Sequence, residues 1–130
     1  MVNWKTIIIG LILAVILSNV FEIIGVALGA HSGFIGGFIG QIIGYLLATI
    51  YVGYAIEGDY VNGAIYGALV GAIGSILSVI IVGTIFGTLT MGSIGGLLLG
   101  AIFAGIIGAV GGIIGFIVKV YHPTKEEPAA

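Results

Sequence analysis

YVNGAIYGALVGAIGSILSVIIVGTIFGTLTMGSIGGLLLGAIFAGIIGAVGGIIGFIV, residues 60–118, runs for 59 residues without an Asp, Glu, Lys or Arg. A soluble domain carries roughly 25% charged residues to keep its surface wet. This stretch offers none, and lipid is the solvent that suits it. A membrane-crossing helix needs about 20 mostly apolar residues. The stretch is too long for one such helix and fits two with a short connection. Gly83, Gly87 and Gly92, with Thr84, Thr88, Thr90 and Ser93, are the turn chemistry available between them. Helices are therefore expected over about 63–82 and 94–120.

Working outward, two further apolar runs precede it. The first covers about 6–28, interrupted by Ser18, Asn19 and Glu22; the second covers about 33–56, with Gln41 its strongest polar residue. A short polar stretch from Glu57 to Asn62 separates the second from the third. A polar tail from His122 to Ala130 follows the fourth. Lys5 and the run after it have the outline of a secretory signal. The run is too long for one, however, and passes Asn19 and Glu22 without a small-residue cleavage site, so it reads as a membrane helix. The expectation is an all-α, polytopic transmembrane helical bundle of four helices in a single domain, 1–130.

Composition agrees and excludes several functions. The chain is 60% hydrophobic and 6% charged, so a soluble globule would leave large apolar patches in water. Three lysines against five acids, with no arginine, leave no basic patch for nucleic acid. Without cysteine there are no disulfides and no thiolate metal sites. Lys5 precedes the first helix, and Lys119 and Lys125 end or follow the fourth. Lysine near helix ends favours the cytoplasmic side, so both termini are expected there, in a multi-pass protein of the cell membrane. Trp4, Tyr54, Tyr60 and Tyr121 fall at the same interface, where amphipathic rings prefer to lie.

The 25 glycines are the most informative feature. In water a glycine inside a helix costs about 1 kcal/mol against alanine. Here they recur every four residues: Gly25, Gly29, Gly33 and Gly37; Gly36, Gly40 and Gly44; Gly63, Gly67 and Gly71, extended by Ser75. The longest row is Gly92, Gly96, Gly100, Ala104, Gly108 and Gly112. Residues four apart share one helix face, so each row is a groove into which another backbone can press. Lipid supplies no hydrophobic drive between helices, and such small-xxx-small seams, or glycine zippers, supply close contact instead. The fourth helix has a second seam, Ala101, Gly105 and Ala109, and a third, Gly111 and Gly115. A helix with several seams can touch several neighbours, which points to a homo-oligomer or a membrane-protein partner. GAIYGALVGAIGSI at 63–76 resembles GAIFAGIIGAVGGI at 100–113, a likeness that a Gly, Ala, Ile and Val alphabet produces readily.

Glu22 is the one acid inside an expected span. Ionisable groups in a membrane are costly and face an interior, a partner or water. Asn19 lies one turn earlier on the same face. If the first two helices turn near His31 and Ser32, Glu22 and Gln41 each lie about 13–15 Å from the turn. A Glu22–Asn19–Gln41 cluster is expected there. It is either an ion site, with Glu22 binding and the amides completing its shell, or a structural hydrogen-bonded group, or Glu22 snorkels to the interface. His31 and His122 have no carboxylate at ligand spacing, so no metal is expected. No lysine and hydroxyl mark a phosphate loop, and Ser18, Ser75, Ser78 and Ser93 have no base for nucleophilic catalysis. No cofactor and no enzyme activity are expected.

MVNWKTIIIGLILAVIL at 1–17, YVGY at 51–54, GDY at 58–60 and NGAIYGALVG at 62–71 resemble a family of small glycine-rich, multi-pass membrane proteins of unknown function from methanogenic archaea. The resemblance covers roughly the first 75 residues and implies a source and a location rather than a mechanism. Within the Glu57–Gly63 loop, Asp59 or Asn62 is placed to cap the third helix. Three roles suit the chain as read. The leading one is a structural or assembly protein, self-associating or a small subunit of a membrane complex. The second is an ion- or proton-conducting oligomer using Glu22, in the manner of a proteolipid ring. The third is a holin-like pore former.

Overall fold

The computed structural model describes residues 4–29, 33–87 and 91–121. Four helices follow one another: α1 (Trp4–Leu28), α2 (Gly33–Ala55), α3 (Tyr60–Phe86) and α4 (Met91–Tyr121). All four are long and apolar enough to cross a membrane. The chain is an all-α bundle with the composition of an integral, multi-pass membrane protein. The turn at His31 and Ser32, Thr88 and Thr90, and the tail from His122 lie outside the described residues.

The helix limits follow from caps. Asp59 is the N-cap of α3, its carboxylate accepting the Asn62 N–H at 3.0 Å. That starts the helix at Tyr60, three residues before the apolar pattern alone suggests. Gly58 ahead of it has φ 119°, a conformation that only glycine adopts readily. α3 then continues through Gly83 and Thr84, because in lipid each backbone group needs a partner within its own segment. It ends at Gly87, whose left-handed φ of 67° lets its N–H donate to the Gly83 carbonyl. At the other end of the bundle, the Lys119 ammonium donates to the Ile56 carbonyl at 2.6 Å, satisfying a group left open where α2 stops.

Backbone meets backbone throughout. A Cβ added at Gly67 would overlap the Gly108 carbonyl, and one at Gly108 the Gly67 carbonyl. Gly63 stands in the same relation to Gly112, and Gly71 to Ala104. Each step of four along α3 is matched by a step of four back along α4, an antiparallel register. Gly25 and Gly36 oppose each other across α1 and α2, Gly40 lies on the Phe21 carbonyl, and Gly44 on the backbone of Leu17 and Ser18. Gly53 faces Gly112, Gly111 faces Thr49, and Gly115 faces the Ile50 carbonyl, so α2 and α4 also touch closely and run parallel. The α1–α2 and α3–α4 pairs are thereby joined mainly through α2 and α4, and among the described residues α1 and α4 do not touch.

This packing sets the character of the core. Its fully buried side chains are small: Ala14, Ala48, Val52, Val70 and Ile56 among the apolar ones, and Ser18 and Thr49 among the polar ones. Apart from Ile7, Tyr45 and Ile56, the larger side chains are mostly turned outward, with Leu28 82% and Phe86 72% exposed. In water that inversion would be costly; in lipid it leaves the bulky groups in a solvent like themselves. Trp4, Tyr54, Tyr60 and Tyr121 all sit at helix ends on the side that carries both termini.

Candidate functional site

The polar residues of the spans gather around Tyr45. Gly44 beside it brings α2 against the Leu17–Ser18 backbone of α1, and Gly74 brings α3 within reach of Ala14 and the Tyr45 ring. Tyr45 is only 3% exposed. Its hydroxyl has Ser18 of α1 and Ser75 and Ser78 of α3 as hydrogen-bonding partners, and all three serines are buried. Ser18 also donates to the Val15 carbonyl at 3.3 Å. The Asn19 amide donates to the Val15 carbonyl at 2.7 Å and to the Ser78 hydroxyl at 2.9 Å. Three helices are thus tied through one tyrosine, and among the described residues no buried side-chain nitrogen or oxygen lacks a partner.

The residues singled out from the sequence turn to different neighbours. Asn19 faces α3 through Ser78. Gln41, one turn before Tyr45, lines a cavity of about 60 Å³ with Phe38, Tyr45, Ser75, Phe103 and Ala104, so it looks toward α3 and α4. Glu22 is half-buried beside Gly37 of α2; a Cβ added there would lie 3.5 Å from the Glu22 Cγ. Its carboxylate is near enough to interact electrostatically with the Tyr45 hydroxyl. Asn19, through Ser78, and Gln41, through the cavity it shares with Tyr45 and Ser75, therefore both adjoin the same cluster, and Glu22 borders it. No hydrogen bond among the described residues joins these three directly.

Tyr45, Ser18, Ser75 and Ser78 are the members that sequence reasoning left out. Ser75 reads as one more small residue in a row, and the other serines as hydroxyls without a base. Ser75 and Ser78 lie mid-helix, as do Ser18 and Tyr45.

The arrangement offers hydrogen-bonding groups without charge of their own, since Tyr45, Gln41, Asn19 and the serines are all neutral. Among the described residues no group of three His, Asp or Glu side chains converges as metal ligands would. The end of the bundle toward the termini is closed beneath the cluster by Ala48, Val52, Ile56 and Val70. Comparison with protein-family models, with curated proteins and with solved structures gave no match.

Proposed function

We propose that this chain is a non-enzymatic structural or assembly protein of the membrane, associating with a second copy or with a larger complex through the N-terminal half of α4. The observation that carries this reading is the fate of the longest glycine row. From Ala104 to Gly112 it is filled by Gly63, Gly67 and Gly71. Among the described residues, a Cβ added at Gly96 would meet nothing within 4 Å, and one at Gly100 only the Ser75 hydroxyl at 3.6 Å. The groove that holds α3 thus runs on, bare, past the end of the contact. Bare small-residue grooves in lipid are where a further helix packs. The Gly111–Gly115 seam is taken up inside the bundle by α2 and adds nothing to this surface. Lys5 and Lys119 at one end support an orientation with both termini in the cytoplasm.

Native mass spectrometry of the protein released from lipid nanodiscs tests the reading. The expected mass is a defined oligomer, or a complex with a second membrane protein, and Gly96→Leu should reduce it to a monomer. A wild-type monomer with no partner in the native membrane would overturn it.

A second reading, an ion- or proton-conducting oligomer, is favoured by one observation: Glu22 borders a buried polar cluster. Val52, Val70 and Ile56 are buried on the side of the cluster toward the termini, so this reading has its pathway run between subunits rather than through one bundle. Glu22→Gln would then abolish proton flux into proteoliposomes and leave assembly intact. Unchanged flux would remove this reading.

A further inference from the structure

Gln41 is half-buried on a membrane helix, at the wall of the cavity between α2, α3 and α4. Its amide carries two donors and an oxygen with two lone pairs, and among the described residues no group bonds to it. In hydrocarbon a polar group left bare is costly, because no solvent is there to take it up. The side chain points into a space of about 60 Å³ that Tyr45 and Ser75 also line. A water needs roughly 10–15 Å³ of such space and two to four polar partners. Room and partners are both present.

The wall also settles the class of ligand. Gln41, Tyr45 and Ser75 supply donors and acceptors without charge. Phe38, Ile42, Phe103 and Ile107 make up the larger apolar remainder. Glu22 does not line the cavity, so no charged side chain would touch a ligand there. Phe38 and Phe103 form the lip, their rings tilted by 55° with centroids 6.3 Å apart, and both are about half exposed. Beyond that lip, among the described residues, nothing lies within 4 Å of a Cβ added at Gly95 or Gly96. Phe38 and Phe103 lie on the side of the cavity toward the end opposite the termini. Gln41 lies eight residues into α2, about 12 Å from that end.

We propose that this cavity is a binding site for water, held between the side chains of Gln41, Tyr45 and Ser75 and reached past Phe38 and Phe103. Water there completes the hydrogen bonding of Gln41 and extends the Tyr45–serine cluster toward the membrane surface. The site is lined by residues of a single bundle, and Gly100 shares it with the bare stretch of the α4 row.

Water-edited solid-state NMR of isotope-labelled protein in lipid bilayers tests it, with the fully buried Val52 and Val70 as dry references. Water magnetisation should reach the Gln41 side-chain amide and the Ser75 backbone several-fold faster than Val52 and Val70. Gln41→Leu should slow Ser75 to the rate of those valines. Wild-type transfer to Gln41 and Ser75 as slow as to Val70 would overturn the proposal. So would faster transfer from lipid acyl chains than from water, which would put a lipid in the cavity. Unchanged transfer to Ser75 in the Gln41→Leu protein would overturn it too, because Gln41 would then hold nothing.

Discussion

The Asn19 side chain of α1 donates a 2.9 Å hydrogen bond to the Ser78 hydroxyl of α3, linking residues 59 apart in sequence. α1 leans chiefly on α2 and meets α3 over a much smaller contact. The bond is thus a specific tie across the weaker side of the bundle, in a medium without water to compete for either group.

Asn19→Leu should lower the stability of the bundle by about 0.6–1.7 kcal/mol, the range for hydrogen bonds between membrane helices. Reversible unfolding in bicelles measures it. Ser78→Ala should cost a similar amount, and the double variant less than the two together. Simple additivity would mean that the pair does not act as a pair.

Tyr45→Phe removes one hydroxyl from three buried serines while keeping the ring. Leaving buried donors without a partner costs about 1–3 kcal/mol, so this variant should be at least as unstable as Asn19→Leu in the same assay. Tyr45→Leu would add the loss of the ring and should fall further. Wild-type stability in Tyr45→Phe would show that Ser18, Ser75 and Ser78 satisfy one another without it.

Gly108→Ala and Gly96→Ala make the same chemical change on the same helix. At Gly108 the new Cβ meets the Gly67 carbonyl; at Gly96 it meets nothing within 4 Å. Overpacking costs about 1–3 kcal/mol, so Gly108→Ala should lower the melting temperature in detergent. In the dissociated monomer Gly96→Ala should hold or raise it, since alanine favours the helix by about 1 kcal/mol. Equal melting temperatures would contradict the α3–α4 register.

Asp59→Ala should cost about 1 kcal/mol by opening the α3 N-cap. The Asn62 N–H loses its acceptor, and its hydrogen exchange should quicken while that of Val70, deep in the bundle, stays slow. Asp59→Asn keeps an acceptor in place and should restore protection. An unchanged Asn62 exchange rate in Asp59→Ala would show that the cap is not what holds the first turn.

The number and kind of helices were legible because each depends on local composition. An uncharged run of 59 residues admits few arrangements. Whether Asp59 or Asn62 caps α3 stayed open until the structure showed Asp59 accepting the Asn62 N–H. The rows Gly63–Gly71 and Gly100–Gly112 were legible as grooves, since a period of four puts glycines on one face. Less legible was the centre of the polar cluster. Tyr45 and Ser75 look unremarkable in their own helices, and only the approach of α1 and α3 to α2 makes them neighbours.

What the sequence by itself determined is therefore the solvent and the elements. Four apolar spans must be helices in lipid, because every backbone N–H and C=O needs a partner within its own segment. What only the tertiary structure decided is which seam meets which. Gly67 faces Gly108 while Gly96 stays bare, and Asn19 turns to Ser78 while Gln41 turns to a cavity. A glycine row presents the same bare surface to any helix. The choice among partners comes from fitting all four helices together at once, and no single row records it.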